Sequence, residues 1–212
     1  MKLASLKGPT RDGTLLLVDE DLSRAVAVTD IAPTMQYALE HWRHVHPKLL
    51  DEFEAIDSWS SRPILSFQTL LDEGRIAAPL PRAYQWLDGS AYLSHVERVR
   101  RARHDKVPES FYSDPLMYQG NGDAMMGPRD DIEVLSEDWG VDLEGEVGVI
   151  IGDVRMGATP AECAEAVRLV VLINDVSYRK LIPAELAKGF GFVHGKGLNA
   201  LSPVAVTPDE LG

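Results

Sequence analysis

The sequence predicts an α+β protein rich in β-structure, with a small β/helical N-terminal domain over residues 1–80 and a larger mixed β domain over 81–212. Three observations carry that expectation. Short apolar runs separated by turn-forming residues fill the first thirty positions. A Pro-rich connector, APLPR, follows near residue 80. WGVDLEGEVGVIIGDV, residues 139–154, alternates with a period of two, as a half-buried strand does.

In chain order, MKLASLK, TLLLVD and RAVAVTD are separated by GPTRDG and EDLS, which reads as a β meander. From Thr34 to Ile56 a helix is expected, because Met35, Ala38, Leu39, Trp42, Val45 and Leu49 keep a rough helical period. Pro47 has no N–H to donate and should kink or split it. LSFQTLLDEG predicts a further short helix before the connector. Residues 84–106, containing QWLDGSAYLSHVERVRRARHD, predict a turn followed by a helix. PLMYQGNGDAMMGPRDDI (115–132) is dense in Gly and Asp and reads as loop with short strands. Within 139–154, Val141, Leu143, Val147, Val149 and Ile151 form the parity expected to face the core. In GATPAECAEAV, Thr159 and Glu162 have capping-box spacing, with Pro160 at the first helical position. VRLVVLIND is a strand ending at Asp175, and AELAKGFGFVHGKGLNALSPVAV a Gly-rich loop leading into an apolar strand. The chain stops at VTPDELG, just after that strand, which predicts a truncated protein. There is no internal repeat.

A net charge of −12 and a pI near 4.9 argue against nucleic acid as a partner, since phosphates require a basic surface. No apolar run reaches the length of a membrane span, and MKLASLKGPTRDG lacks the apolar core of a signal peptide. Cys163 is the only cysteine, which excludes an internal disulfide framework and a cysteine zinc cluster. A cytoplasmic location is the expectation. Excess carboxylate suits either a solvated surface or a hard cation.

Asp142, Glu144 and Glu146 share the other parity of the acidic strand. Residues two apart in a strand lie roughly 6.5–7 Å apart, and like charges that close repel more strongly as water is removed. Gly145 and Gly148 mark a place where backbone or ligand can come near. Asp175 ends another strand, and carboxylates at strand positions suit Mg²⁺ or Ca²⁺. A solvent-facing acidic parity is the alternative. His95 is a lone histidine near a helix, and an Asx-type turn would account for Asp88 before Gly89. Histidines 41, 44 and 46 read as surface, and Cys163 as packing within its helix. Lys196 sits in HGKG, which fits neither phosphate-loop pattern. There is no G-x-S-x-G motif.

Together these segments resemble the fumarylacetoacetate hydrolase family. LPRAYQWLDGSAYLSHVERVRRA resembles its opening catalytic segment, in which an acidic ligand and a histidine lie seven apart. DLEGEVGVIIG resembles its E-x-E metal strand, the capped helix followed by INDVSYR its A-E-x-A…N-D-x-S-x-R segment, HGKGLNALSPVAV its Gly–Lys loop, and PLMYQGNGD the P-x-x-Y-x-G of the fumarylacetoacetases proper. The resemblance runs from about residue 80 to the end. It implies four metal ligands, Asp88, Glu144, Glu146 and Asp175, with His95 as general base, Tyr118 and Arg101 as substrate-binding residues (Arg103 being the alternative to Arg101), and Lys196 as electrostatic catalyst. KLIPAE stands where the family has a glutamine. The implied catalytic domain is a mixed β-roll whose closing strands, with a threonine and a glutamate near the site, this chain does not carry. The implied cofactor is a divalent cation, Mg²⁺ or Ca²⁺ with Mn²⁺ an alternative, and the implied assembly a homodimer. The implied substrate is a small 1,3-diketo acid, foremost fumarylacetoacetate, split to fumarate and acetoacetate at the end of tyrosine breakdown; nucleic acid and membrane are not expected partners. Rival expectations are acylpyruvate hydrolysis, oxaloacetate decarboxylation, dienoate isomerisation, or an inactive truncated member.

Overall fold

The computed structural model describes residues 1–55, 59, 61–90, 92–102 and 106–212. The meander forms as β1 (Lys2–Leu6), β2 (Thr14–Val18) and β3 (Arg24–Ala27). Two helices follow, α1 (Met35–Glu40) and α2 (Trp42–Glu54), then β4 (Leu65–Ser66), α3 (Phe67–Asp72) and β5 (Ile76–Ala77). Beyond the connector come β6 (Trp86–Gly89), α4 (Leu93–Ala102), β7 (Met117–Gly120), β8 (Val141–Asp142), β9 (Gly145–Ile151) and α5 (Pro160–Glu165). The chain continues through β10 (Val167–Asn174), β11 (Ser177–Tyr178), α6 (Ile182–Leu186), β12 (Ala200–Leu201) and β13 (Ala205–Val206).

One antiparallel sheet runs through both sequence segments, in the order β12-β10-β13-β1-β2-β3-β4, with β5 added to β1 and β9 to β10. The link across residue 80 is β1 against β13, where Lys2 faces Val206 and Leu3 faces Ala205. β1 is apolar on both faces because both are covered. Leu3 joins Leu15, Leu17 and Val26 under Met35, Ala38, Val45 and Leu49 of the first two helices and against Leu169, Val171 and Ile173 of β10. Ala4 joins Leu16, Val18 and Ala25 under Phe67 and Leu70 of α3. Two small ribbons, β6–β7 and β8–β11, stand apart from the main sheet.

The long helix expected over 34–56 is broken at His41, before Pro47, and Ile56 lies outside the described residues. Thr34 caps α1 through its hydroxyl, and His41 closes that helix while serving as the N-cap of α2. Pro47 lies inside α2 on its exposed side, where water can satisfy the carbonyl that loses its partner. The capping box of α5 is complete: Thr159 Oγ1 accepts from the Glu162 N–H, and the Glu162 carboxylate accepts from the Thr159 N–H. Cys163 is exposed on that helix and is not a packing residue. The last residues form a 3₁₀ turn, Pro208–Leu211, whose Glu210 pairs with Lys2 and the Met1 ammonium. Among the described residues no helix is long and apolar enough to cross a membrane.

The acidic segment departs most from expectation. It is two strands, β8 and β9, joined through Leu143 and Glu144, and its apolar parity faces outward. Val147, Val149 and Ile151 are 65%, 56% and 52% exposed, whereas Glu144 and Glu146 are half-buried. Among the described residues β9 pairs with β10 alone, as an edge strand. The register Ile173↔Glu146 and Val171↔Gly148 turns the even positions toward the face that Val171 and Ile173 bury. Gly148 packs closely there: a Cβ would meet the end of the Ile173 side chain, which would have to shift. The close approach expected at that glycine is thus to β10, while Gly145 has open space.

Candidate metal and substrate site

Four short stretches bring the charged residues together. β6 and β7 pair so that Asp88 stands opposite Tyr118, and side chains of directly opposed residues share a face. Asp88 is therefore a strand residue, and the turn reading for it is set aside. β10 ends at Asn174, delivering Asp175, whose N–H donates to the Glu144 carbonyl at 2.9 Å. The amide of Asn174 in turn accepts from the Glu144 N–H at 3.3 Å. The Gly-rich loop returns to β11, with Lys196 bridged to Ser177. In NDVSYR, Asp175, Ser177 and Arg179 lie at alternate positions, so one parity carries all three.

Lys196 is the hub. Its Nζ donates to Glu144 Oε2 and Asp175 Oδ2, each at 2.6 Å, and to Ser177 Oγ at 2.8 Å. Its side chain is 11% exposed, and that of Asp175 is 1% exposed. Asp175 Oδ2 also accepts from the Tyr118 hydroxyl at 2.7 Å. With its amide oriented to satisfy both neighbours, buried Asn199 donates to Asp175 Oδ1 at 2.7 Å and accepts from Trp86 Nε1 at 3.1 Å. Glu144 additionally pairs with Arg179, which reaches Asp142 at 2.8 Å. Asp142, on the same sequence parity as Glu144, is thereby drawn to the ribbon side of the site.

The electrostatics follow from crowding. Burial pushes the Asp88 carboxyl up to about 6, helped by the neighbouring charges of Asp175 and Glu146 and by the hydrogen bond its protonated form makes to Asp175; Lys196 opposes the rise. Burial also works to raise Glu144, but Lys196 and Arg179 outweigh it and hold the group below the ordinary value. Burial and the bond to Asp175 push the Tyr118 phenol well above its usual range, so it stays a donor. A carboxyl whose folded pKa is raised adds stability that is complete below the unfolded value near 4, and that stability is lost as pH rises through about 6. Asp88→Asn is expected to flatten this decline. In chelator, the melting temperature of the variant should fall less than that of wild type between pH 4 and 7, and parallel profiles would remove Asp88 from the cluster.

Four carboxylates with surplus negative charge are, in chemical kind, a donor set for a hard divalent ion. Among the described residues, no three of His, Cys, Asp or Glu are drawn together tightly enough to hold one. The Lys196 ammonium instead occupies oxygens of Glu144 and Asp175. Two residues named from sequence are not brought to this centre. His95 is exposed on α4, with no hydrogen bond to any of the four carboxylates, and Arg101 is exposed in the last turn of that helix. Arg103 lies outside the described residues. Sequence reasoning assigned no role to Asn199, Ser177 or Arg179; the alternate spacing in NDVSYR was the available signal for the latter two.

Beside the cluster, Met117–Gly120 and Gly189–Phe192 line a recess of about 580 Å³. Phe192 packs edge-on to Tyr118, with ring centroids 4.8 Å apart. The Lys196 ammonium stands 5.4 Å from the Tyr118 ring centre and 5.9 Å from that of Phe192. The lining of this recess is aromatic and neutral, and Tyr118 is the residue it shares with the ion cluster.

Two protein families account for the chain: fumarylacetoacetase N-terminal domain 2 over residues 1–82, and fumarylacetoacetate hydrolase C-terminal over residues 85–212. The chain belongs to the fumarylacetoacetate hydrolase family. Among curated relatives, 2,4-didehydro-3-deoxy-L-rhamnonate hydrolase of Sphingomonas sp. (strain SKA58) is 32% identical over 103 residues, a stretch covering 47% of this chain and 35% of that protein. Among solved structures, the fumarylacetoacetate hydrolase of Exiguobacterium antarcticum aligns with a TM-score of 0.64 at 20% identity, covering 99% of this chain and 67% of the other. Maleylpyruvate hydrolase from Sphingobium sp. SYK-6, solved with manganese(II) and pyruvate, aligns with a TM-score of 0.61 at 15% identity, covering 99% and 68%. The fold class expected from sequence, α+β and rich in β-structure with a small N-terminal domain, agrees with these neighbours, and the observed form is a mixed antiparallel sheet with helices.

Proposed function

We propose that the protein containing this chain is a divalent-metal-dependent hydrolase that cleaves a carbon–carbon bond in a 1,3-diketo acid, with fumarylacetoacetate the first substrate to test. The observation that carries the reading is the Lys196 ammonium held among Glu144, Asp175 and Ser177 beside Tyr118. The named substrate of the rhamnonate relative supports the class, since oxidation at positions 2 and 4 of a 3-deoxy acid places two carbonyls in a 1,3 relationship.

Asp88, Glu144, Glu146 and Asp175 would hold the cation, Mg²⁺, Mn²⁺ or Ca²⁺, which when bound polarises the substrate's carbonyls. Lys196 places positive charge where the leaving enolate develops its own negative charge. Tyr118, kept protonated, donates to an oxygen and sets the register of the substrate, and Arg101 is assigned to its carboxylate. Water adds to the distal carbonyl carbon, the bond to the central carbon breaks, and the electron pair leaves as the enolate, which then takes up a proton. His95 is assigned the proton taken from water. Because His95 stands in solvent here, the assignment requires the segment of α4 to come over β6 and β7 when substrate binds.

The test is a panel of fumarylacetoacetate, acylpyruvates, oxaloacetate and a dienoic diacid, with Mn²⁺ or Mg²⁺, followed by loss of diketone absorbance and by product identification. Cleavage of a diketo acid supports the reading; decarboxylation or isomerisation alone replaces it with another reaction, and metal binding without turnover replaces it with a binding protein. His95→Ala is expected to lower kcat by roughly 10²–10⁴ with metal affinity unchanged. Unaltered kcat would move the base role elsewhere.

A further inference from the structure

The loop that delivers Lys196 is tied down by a carboxylate outside the ion cluster. Glu185, in the short helix α6, accepts three successive backbone N–H groups: Val193 at 3.1 Å and Gly195 at 2.7 Å on Oε2, and His194 at 2.6 Å on Oε1. These are the three residues immediately before Lys196. Burial works to raise the Glu185 carboxyl, and the N–H groups of His194, Gly195 and Val193 outweigh it, holding the group below its ordinary value. A carboxylate that accepts several amides is held in its charged form, and charge-assisted bonds of this kind are about twice as strong as neutral ones. The contact is close-fitted as well. A Cβ on Gly195 would lie 2.9 Å from Glu185 Oε2 and 2.8 Å from the Ile182 side chain.

The upstream half of the same loop is held differently. Gly189 and Gly191 have φ of 80° and 109°, backbone that other residues rarely adopt, and Phe190 between them is 99% exposed. The loop therefore passes from an exposed aromatic tip to a clamped end. Gly195 completes the clamped end by accepting the Tyr178 N–H at 2.8 Å. Without the carboxylate, three consecutive amides beside a buried ammonium lose their acceptor, and the stem loses what fixes its height over Glu144 and Asp175.

We propose that Glu185 is a positioning residue, whose carboxylate clamps the 193–195 backbone so that the Lys196 ammonium is presented at the site and Phe192 is held against Tyr118. The assignment of catalytic work to Lys196 rests on the proposed hydrolase reading; the clamp itself does not. It stands in KLIPAE, the segment that departs from the family pattern noted above, and its role comes from these hydrogen bonds alone.

The experiment uses the full chain with two variants, Glu185→Gln and Gly195→Ala, the second displacing the clamp while leaving the carboxylate in place. Reductive methylation with ¹³C-formaldehyde, read by peptide mass analysis, follows Lys196 against the exposed Lys48 and Lys188 in the same sample. Both variants are expected to raise methylation of Lys196 relative to those lysines by tenfold or more, with the melting transition still cooperative. An unchanged ratio in both variants overturns the clamp whether or not the protein turns over a diketo acid. Where turnover is present, Glu185→Gln should lower kcat at least tenfold with little change in KM. Combined with Lys196→Met, it should be no slower than Lys196→Met alone. Additive losses in that cycle would show that Glu185 acts independently of Lys196 and would also overturn the proposal. A wild type that cleaves no diketo acid, with the methylation ratio raised, would instead sink the hydrolase reading and leave the clamp standing.

Discussion

Lys196→Met is expected to have the largest effect of any single change in this chain, on stability and on turnover together. The ammonium is the shared partner of Glu144 and Asp175, and Asp88 and Glu146 add their charges to the same region. Removing one member of a buried ion pair leaves an uncompensated charge, at a cost of about 3–5 kcal/mol. Here it leaves several carboxylates facing one another. In chelator the variant should therefore unfold at markedly lower denaturant than wild type. Mn²⁺ should recover much of the loss, because binding to the folded state alone adds stability by mass action. Turnover, if the proposed chemistry holds, should fall by roughly 10²–10³ even when the fold is rescued, the usual consequence of losing one group that stabilises a developing oxyanion. Denaturant curves with and without Mn²⁺ decide the first part. Equal midpoints for wild type and variant in chelator would show that Lys196 does not neutralise this cluster.

Glu146→Gln should give the opposite pattern. Glu146 has no ion pair with Lys196; it contributes repulsion, being one of the charges that lift Asp88. The variant is expected to be as stable as wild type in chelator, or slightly more so, because like charges are fewer. Its affinity for Mn²⁺ should fall by about two orders of magnitude, since carboxylate count is a main determinant of affinity for hard cations. Calorimetric titration reads both the affinity and the stoichiometry. Unchanged affinity would take Glu146 out of the ligand set and leave at most Asp88, Glu144 and Asp175.

The contrast between these two residues explains how far the site was legible in the sequence. The resemblance named four carboxylates and a lysine, and the chain does bring Lys196 to Glu144 and Asp175, with Glu146 near enough to Asp88 for its charge to help raise that carboxyl. The direction of the acidic strand was not legible. A period-two pattern shows which residues share a face, and the apolar set is normally the inward one. Here the inward set is fixed by β10, whose Val171 and Ile173 leave room for Gly148 and draw Glu146 to the buried side. Tertiary pairing decided what local pattern could not. The same holds for the helix break: Pro47 is the strong local signal, yet its exposed position tolerates it, while His41 ends one helix and begins the next. The meander, by contrast, was readable because turn residues bound each short run. The Glu185 clamp left no sequence mark, since its partners are backbone N–H groups that every residue but proline possesses.

The pairing of β1 with β13 has a kinetic consequence. Leu3 and its neighbour Ala205 lie 202 positions apart in sequence, so that side of the strand stays uncovered until the whole intervening stretch is in place. Contacts so distant in sequence must overcome a large loop-closure entropy before they return any energy. Refolding is therefore expected to be slow and sensitive to aggregation, with the meander and its helices assembling early and the ion-rich end of β10 settling last.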